Sequence, residues 1–320
     1  MLRGFPWLLF LWGVFAADGS LPGRARPITP PVDPGVELIV LGSVQDGGSP
    51  HIGCARACCA PLYQQPDPTR KVVALGLIDR IAGRTYLIEA GPDFPEQVRL
   101  LQERAVQDLP VPSGILVTHA HIGHYSGLMY LGREALGADS VPVYAMPRMR
   151  GFLAENGPWS QLVSQGNIAL RPLEDSRPIR LTPRLEVVPF RVPHRDEFSE
   201  TVGFEIRGPG KTVLFIPDID KWERWETDIA ARIRQVDLAF LDASFYDGAE
   251  LGYRDMSEIP HPFVVESLAR FDSLPEAERR KIHFIHLNHT NPLLDPSSGQ
   301  TRSVLNKGYW VARFGETFEL

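Results

Sequence analysis

Three imidazoles lie within six positions in the segment His119-Ala120-His121-Ile122-Gly123-His124. They follow the apolar run Gly114-Ile115-Leu116-Val117-Thr118, which reads as a buried strand. Histidine is the commonest metal ligand near neutral pH, because the neutral ring offers a lone pair. A lone histidine is more often a core or surface residue than a ligand. Three together at a strand-to-helix junction gain nothing from packing, and chain turns there place side chains in an open crevice. The chemistry expected of this segment is metal binding.

Other strand ends carry matching residues. His194 follows Val192-Pro193, Asp218 follows Phe215-Ile216-Pro217, and His286 follows Phe284-Ile285. The prolines before His194 and Asp218 limit backbone freedom and help to aim the next side chain. Taken singly, each of these is an ordinary capped or solvated turn residue. The order His triple, His, Asp, His is what distinguishes the set.

Positioning these groups falls to many short elements. Strands are expected at Glu37–Gly42, Val72–Ile78, Thr85–Glu89, Ile115–Thr118, Val141–Ala145, Leu185–Val192, Thr201–Ile206, Thr212–Ile216, Leu238–Leu241 and Ile282–Leu287. Helical periodicity marks Phe94–Glu103, His124–Leu136, Arg148–Glu155, Trp225–Arg234 and Phe263–Phe271. This pattern suggests an α/β (α+β) architecture of two mixed sheets packed face to face with helices outside.

The first residues read as an address. Arg3 precedes the apolar stretch Phe5 to Ala17, with Val14, Phe15 and Ala16 near a small-residue cleavage signal. Residues 1–17 are therefore expected to be a signal peptide, too short to span a bilayer, and the chain to be exported, periplasmic or extracellular. The alternative is a loosely held apolar segment. Residues 18–35, with five prolines from Pro22 to Pro34, read as an extended linker. About 285 residues remain from Val36 onward, enough for one large domain. Hydrophobic content of 43% and charged content of 22% suit a globular core. A net charge of −6 and the lack of a Lys/Arg-rich run argue against a nucleic-acid partner, because a polyanion requires a basic footprint. The sequence leaves oligomeric state open.

The ligand order resembles the metallo-β-lactamase superfamily, over essentially the whole chain from Val36. That resemblance implies a four-layer αββα sandwich and the signature His-x-His-x-Asp-His, then a His, a bridging Asp and a final His. Carried over, it implies that His119, His121 and His194 hold one metal, that His124 and His286 serve a second, and that Asp218 bridges them. Gly123 stands where the signature has its Asp. The second ion is thus expected to lack a carboxylate, leaving either a mononuclear site or a second half-site of His124, His286 and Asp218. Two imidazoles and one carboxylate also hold non-haem Fe2+, whereas zinc accepts the same atoms.

A narrower resemblance is to the pyrroloquinoline quinone (PQQ) biosynthesis B protein family. It is carried by Leu41-Gly42-Ser43, Asp46-Gly47-Gly48-Ser49-Pro50-His51 and a cysteine cluster, and by Phe284-Ile285-His286-Leu287-Asn288-His289-Thr290-Asn291-Pro292. Those relatives are usually cytoplasmic and associated with an iron-dependent oxidative step. They place a structural zinc on cysteines in this region. Cys54, Cys58 and Cys59 are accordingly open to three readings: a structural zinc with His51 as fourth ligand, a disulfide from Cys54 to Cys58 or Cys59, or free thiols. The ribonuclease Z branch supplies a further likeness in Leu241-Asp242-Ala243-Ser244-Phe245 and His261-Pro262-Phe263. It implies a proton-donating His261 oriented by Asp242, with Pro262 in the first helical turn. The bland alternative is that His261 caps the helix.

Trp222, Trp225 and Tyr125 are read as core, with a substrate wall as the alternative. Three functions follow. The first is hydrolysis of a small molecule by a Zn2+ enzyme with one or two ions, Asp218 orienting the water. The second is an Fe2+ oxygenase related to PQQ biosynthesis. The third is a non-catalytic carrier of PQQ or a precursor.

Overall fold

The computed structural model describes residues 35–105, 110–252 and 254–320. The expected signal peptide (1–17) and all of the expected linker but Gly35 lie outside the described residues. No helix among the described residues is long and apolar enough to cross a membrane.

Two seven-stranded sheets face each other. The first runs Thr317–Glu319, Val36–Gly42, Ala74–Asp79, Arg84–Ile88, Gly114–Leu116, Val141–Ala145, Ile168–Pro172 in spatial order. The second runs Trp310–Val311, Ile282–Ile285, Leu238–Asp242, Thr212–Ile216, Val202–Arg207, Leu185–Arg191, Ile179–Thr182. Each is antiparallel at one end and parallel at the other, so both are mixed.

Strand periodicity of two explains the layering, because successive side chains leave opposite faces. Leu38 and Val40 point inward, where they share a core with Val213 and Phe215 of the facing sheet. Their neighbours Ile39 and Leu41 point outward onto Val98 and Leu101 of the helix Phe94–Ala105. On the far side, Leu214 and Ile216 meet Val264, Leu268 and Phe271 of the helix Val264–Phe271. Both faces of the central strands are apolar, so helices must cover each sheet from outside. The result is the αββα sandwich.

The parallel runs bring the C-terminal ends of neighbouring strands to the same edge. Ligand sites in α/β sheets form outside such ends. Here the ends of Gly114–Leu116, Thr212–Ile216, Leu238–Asp242 and Ile282–Ile285 supply the polar residues. Val44 bridges to both Val72 and Leu287, drawing the first strand's exit toward the end of Ile282–Ile285.

Some expected elements differ. The helix expected at His124–Leu136 is one short turn, Ile122–Tyr125, followed by a 3-10 segment, Ser126–Leu131. The strand expected at Val72–Ile78 begins at Ala74, and the helix expected from Trp225 begins at Ile229 after a 3-10 turn at Trp222–Arg224. Trp222 is core: it is buried and its Nε1 donates to Ser267 Oγ at 2.9 Å. Trp225 packs partly buried on that core and stacks on Phe190, and Tyr125 packs against Phe152 and Trp159.

Candidate metal centre

His119 and His121 leave the end of Gly114–Leu116 as the chain turns into the helix Ile122–Tyr125, and His194 comes from the end of Leu185–Arg191. The three rings converge: His194 lies 5.3 Å from His119 and 5.0 Å from His121, centroid to centroid. Facing nitrogens are closer. His119 Nε2 is 2.9 Å from His121 Nδ1, which is 3.3 Å from His194 Nε2. Asp218 Oδ2 completes the group, 3.3 Å from His119 Nε2, 3.2 Å from His194 Nε2 and 4.0 Å from His121 Nδ1. Zinc–nitrogen bonds of about 2.1 Å give tetrahedron edges of about 3.4 Å. The observed separations bracket that edge.

The same Asp218 oxygen also faces a second group. His124 Nε2 lies 3.7 Å from it, and Asp46, His124, Asp218 and His286 offer atoms all within 4.8 Å of one another. The expectation drawn from Gly123 counted only His124, His286 and Asp218 here, and the structure places Asp46 beside them. The carboxylate absent at position 123 is matched by Asp46, whose Oδ1 stands 3.0 Å from His124 Nε2 and 3.1 Å from His286 Nε2. Asp46 lay in plain view beside two glycines, but a turn aspartate gives no sign of what it faces across the fold.

Remote ring nitrogens have partners that fix their orientation. Thr118 Oγ1 lies 2.9 Å from His119 Nδ1, Asp220 Oδ1 3.2 Å from His194 Nδ1, and Ser244 Oγ 2.8 Å from His286 Nδ1. Glu89 is fully buried, accepts from Thr118 Oγ1 at 2.6 Å, and stands 3.1 Å from His124 Nδ1. The sequence reading missed Glu89, Asp220 and Ser244. A carboxylate closing the apolar run Thr85–Ile88 was the available signal for Glu89. Glu89 and His286 both hold left-handed backbone, with φ of +75° and +62°. Such conformations cost about 1–3 kcal/mol each and persist where the surroundings over-determine them.

His261 is buried between the two groups, its Nδ1 2.8 Å from Asp242 Oδ2 and 3.2 Å from Asp218 Oδ1. It is not the helix cap. The helix starts at Val264 with Phe263 as its N-cap, so Pro262 precedes the first turn instead of occupying it. Phe263 N–H donates to Glu266, which meets the need that a cap would serve.

Electrostatics sort these groups. Burial, reinforced by the neighbouring His124, holds His119 well below its ordinary pKa, and burial also lowers His121. For His194, burial is outweighed by Asp218 and Asp220, which lift it to about 10. Asp218, with Asp242 and Asp46, likewise lifts His286 to about 9, and Glu89 and Asp46 hold His124 well above the usual range. Burial would raise Asp218, yet His194 and His261 keep its carboxyl well below the usual range. A buried cage of imidazoles and ionised carboxylates is a donor set for a divalent cation. Both nitrogens of His124 are buried and, although Glu89 and Asp46 stand 3.1 and 3.0 Å away, neither makes an aligned hydrogen bond among the described residues; a metal ion at Nε2 would give that atom a partner. The residues fit the group.

A consequence is measurable. Without metal, His194 and His286, lifted to about 10 and about 9, carry protons at about pH 8, and a ligating imidazole must be neutral. Zn2+ uptake is expected to release at least one and up to about two protons per chain from this pair. Calorimetry in buffers of different ionisation enthalpy measures this, and a buffer-independent heat would contradict the arrangement.

The cysteines gather elsewhere. Cys54, Cys58, Cys59 and His289 bring one ligand atom each within 4.8 Å. The fourth member is His289 and not His51. His51 turns its Nδ1 to the Ile52 carbonyl and stacks on His289 at 4.3 Å. Burial and the adjacent His51 hold His289 at about 4, so its ring is neutral. All three cysteines are free thiols, with Cys54 Sγ 3.7 Å from Cys58 Sγ, so the disulfide reading is not what the structure contains.

Comparison with known proteins agrees with this picture. A family model described as a beta-lactamase superfamily domain matches residues 84–287. Coenzyme PQQ synthesis protein B of Xanthomonas euvesicatoria pv. vesicatoria is 29% identical over 308 residues, covering 88% of this chain and 98% of that protein. The crystal structure of Zn2+-bound PqqB from Methylobacterium extorquens superposes with a TM-score of 0.72 at 22% identity, covering 89% of this chain and all (100%) of that one. A diphosphatase of the PhnP family shares the fold with a TM-score of 0.62 at 22% identity, over 89% of this chain and 97% of that one. With the family model spanning both sheets, and a sandwich whose strand ends carry the ligand order of the signature, the chain belongs to the metallo-β-lactamase superfamily.

Proposed function

We propose that this protein is a two-metal hydrolase acting on a small molecule, with His119, His121, His194 and Asp218 holding one ion and His124, His286 and Asp218 the other. The observation that carries the reading is Asp218, one of whose oxygens faces both groups while the other faces His261. Zinc held by these residues would supply water of pKa about 7 and would polarise a carbonyl or phosphoryl oxygen. Asp218 stays ionised among its imidazoles and orients the nucleophile. Asp242 accepts the Nδ1 proton of His261, so Nε2 is the atom that takes up and returns a proton, and the carboxylate stabilises the imidazolium in between. Buried surroundings strengthen each of these interactions. The reading includes a structural zinc on Cys54, Cys58, Cys59 and His289, export directed by residues 1–17, and no nucleic-acid partner. The similarity to PQQ synthesis protein B supports a small-molecule substrate.

An Fe2+ oxygenase would use His124, His286 and Asp218 as a three-ligand face with open positions. Asp46 beside that face and the sharing of Asp218 favour the two-ion hydrolase. The deciding experiment is metal analysis of protein purified without added metal, followed by ester and phosphodiester hydrolysis assays and oxygen uptake. His261→Ala is expected to lower hydrolysis by about 10² to 10⁴-fold, as loss of a general acid does. A carrier of PQQ or a precursor would keep its ligand affinity in that variant. Oxygen uptake without ester turnover would replace the hydrolase with the oxygenase.

A further inference from the structure

Gly123 has no room for a side chain. A Cβ built on it would lie 2.5 Å from Asp46 Cα, 2.5 Å from Asp46 Oδ1 and 2.6 Å from Asp46 Cγ. One of those contacts is backbone, so a larger residue could not be accommodated by turning the Asp46 side chain aside. The space beside His124 that a side chain at position 123 would fill is already filled by the carboxylate of residue 46. Asp46 is held there by its own segment. Gln45 N–H donates to Leu287 O at 2.9 Å, one residue past His286, and Gly48 N–H closes the turn onto Gln45 O at 2.9 Å. Only 16% of the Asp46 side chain is exposed, and its Oδ1 lies within 3.1 Å of two imidazole nitrogens that face the centre.

We propose that Asp46 is a ligand of the second metal ion, and that positions 46 and 123 form a single carboxylate site which this chain fills from residue 46. The glycine is then a requirement of the metal centre, not a gap in it. This rests on the two-ion reading above. It also reverses the simplest engineering expectation, that Gly123→Asp would add a ligand and strengthen the second site. Gly123→Asp instead pushes Asp46 out of place, and two carboxylates compete for one volume.

The test is Zn2+ stoichiometry and affinity by calorimetry and elemental analysis, with the electronic spectrum of Co2+-loaded protein as a second readout. Any equivalent on the cysteine cluster is common to all variants. Wild-type protein is expected to hold two active-site ions. Asp46→Asn keeps the shape and removes the charge, and it should weaken the second ion by about 10²-fold or more, since even the outer partners of a metal ligand are worth about 10- to 100-fold. Gly123→Ala, which adds only a methyl group, should weaken the same ion. The exchange Asp46→Gly with Gly123→Asp removes the two side-chain contacts, and glycine at 46 frees the turn so that its Cα can yield; it should regain the ion and restore the Co2+ spectrum. Thermal melts identify any variant whose loss comes from misfolding, and the paired exchange must then regain both fold and ion. Two ions held as tightly in Asp46→Asn as in wild type would overturn the proposal while leaving the two-ion reading intact. A double exchange that stays at one ion would overturn the single-site relation. A wild-type protein with one active-site ion would overturn the two-ion reading and this proposal together.

Discussion

Asp218→Asn is expected to reduce turnover by several orders of magnitude while leaving the chain folded. The substitution is isosteric, so the outer packing around residue 218 is kept. What changes is charge: an anion facing His119, His124, His194 and His261 becomes a neutral amide. Bridging capacity and the orientation of water are lost together, and an amide NH2 placed where Oδ1 stood would point a donor at His261 Nδ1, which also donates. Hydrolysis of a confirmed substrate, measured beside metal content, checks this. Both Asp218→Asn and His261→Ala turning over at the wild-type rate would place the active site elsewhere.

The second large effect is on stability and on one ion. Glu89→Ala removes a fully buried carboxylate that accepts from Thr118 and faces His124 Nδ1. Removing one partner of a buried charged pair costs about 3–5 kcal/mol. The His124 ring also loses the group that fixes its orientation, so the second ion should weaken by about 10- to 100-fold. Glu89→Gly offers an internal control. Residue 89 sits at φ +75°, which glycine adopts without the strain of a Cβ. Glu89→Gly should therefore be more stable than Glu89→Ala by about 1–2 kcal/mol, though equally poor at holding the ion. Urea melts of the metal-free proteins measure the difference. Equal stability of the two variants would mean that the left-handed backbone is not costly here.

The strands legible in the sequence were the interior ones. Among the described residues, all four strands that escaped it, Thr317–Glu319, Ile168–Pro172, Trp310–Val311 and Ile179–Thr182, lie at the sheet edges. An edge strand is covered on fewer sides, so it needs neither a continuous apolar run nor a clean alternation, and Pro172 can end one without breaking a ladder. The residues that face the candidate centre from the strand ends were legible for the opposite reason. A histidine or aspartate closing an apolar strand stands out against its surroundings, as His119, His194, Asp218 and His286 do. Asp46 and His289 did not, because each sits in a polar turn where its residue type is common. Their roles depend on a partner across the fold, which spacing along the chain does not encode. The distant pairings Asp46 with His286 and Glu89 with Thr118 are properties of packing alone.

The order of the strands also bears on how the molecule comes into being. Among the described residues, Val36–Gly42, the first strand, pairs along one edge with Thr317–Glu319, the last. Asp46 and His286 meet although 240 positions separate them. During synthesis the N-terminal sheet is therefore still missing this edge strand, and Asp46 the histidine that it faces, until the C-terminal residues are made. Contacts this remote are slow to form because the chain between must first be gathered in. Neither that sheet nor the Asp46–His286 wall of the cage can be complete until residues 282–319 have been made and have folded back onto the first strand.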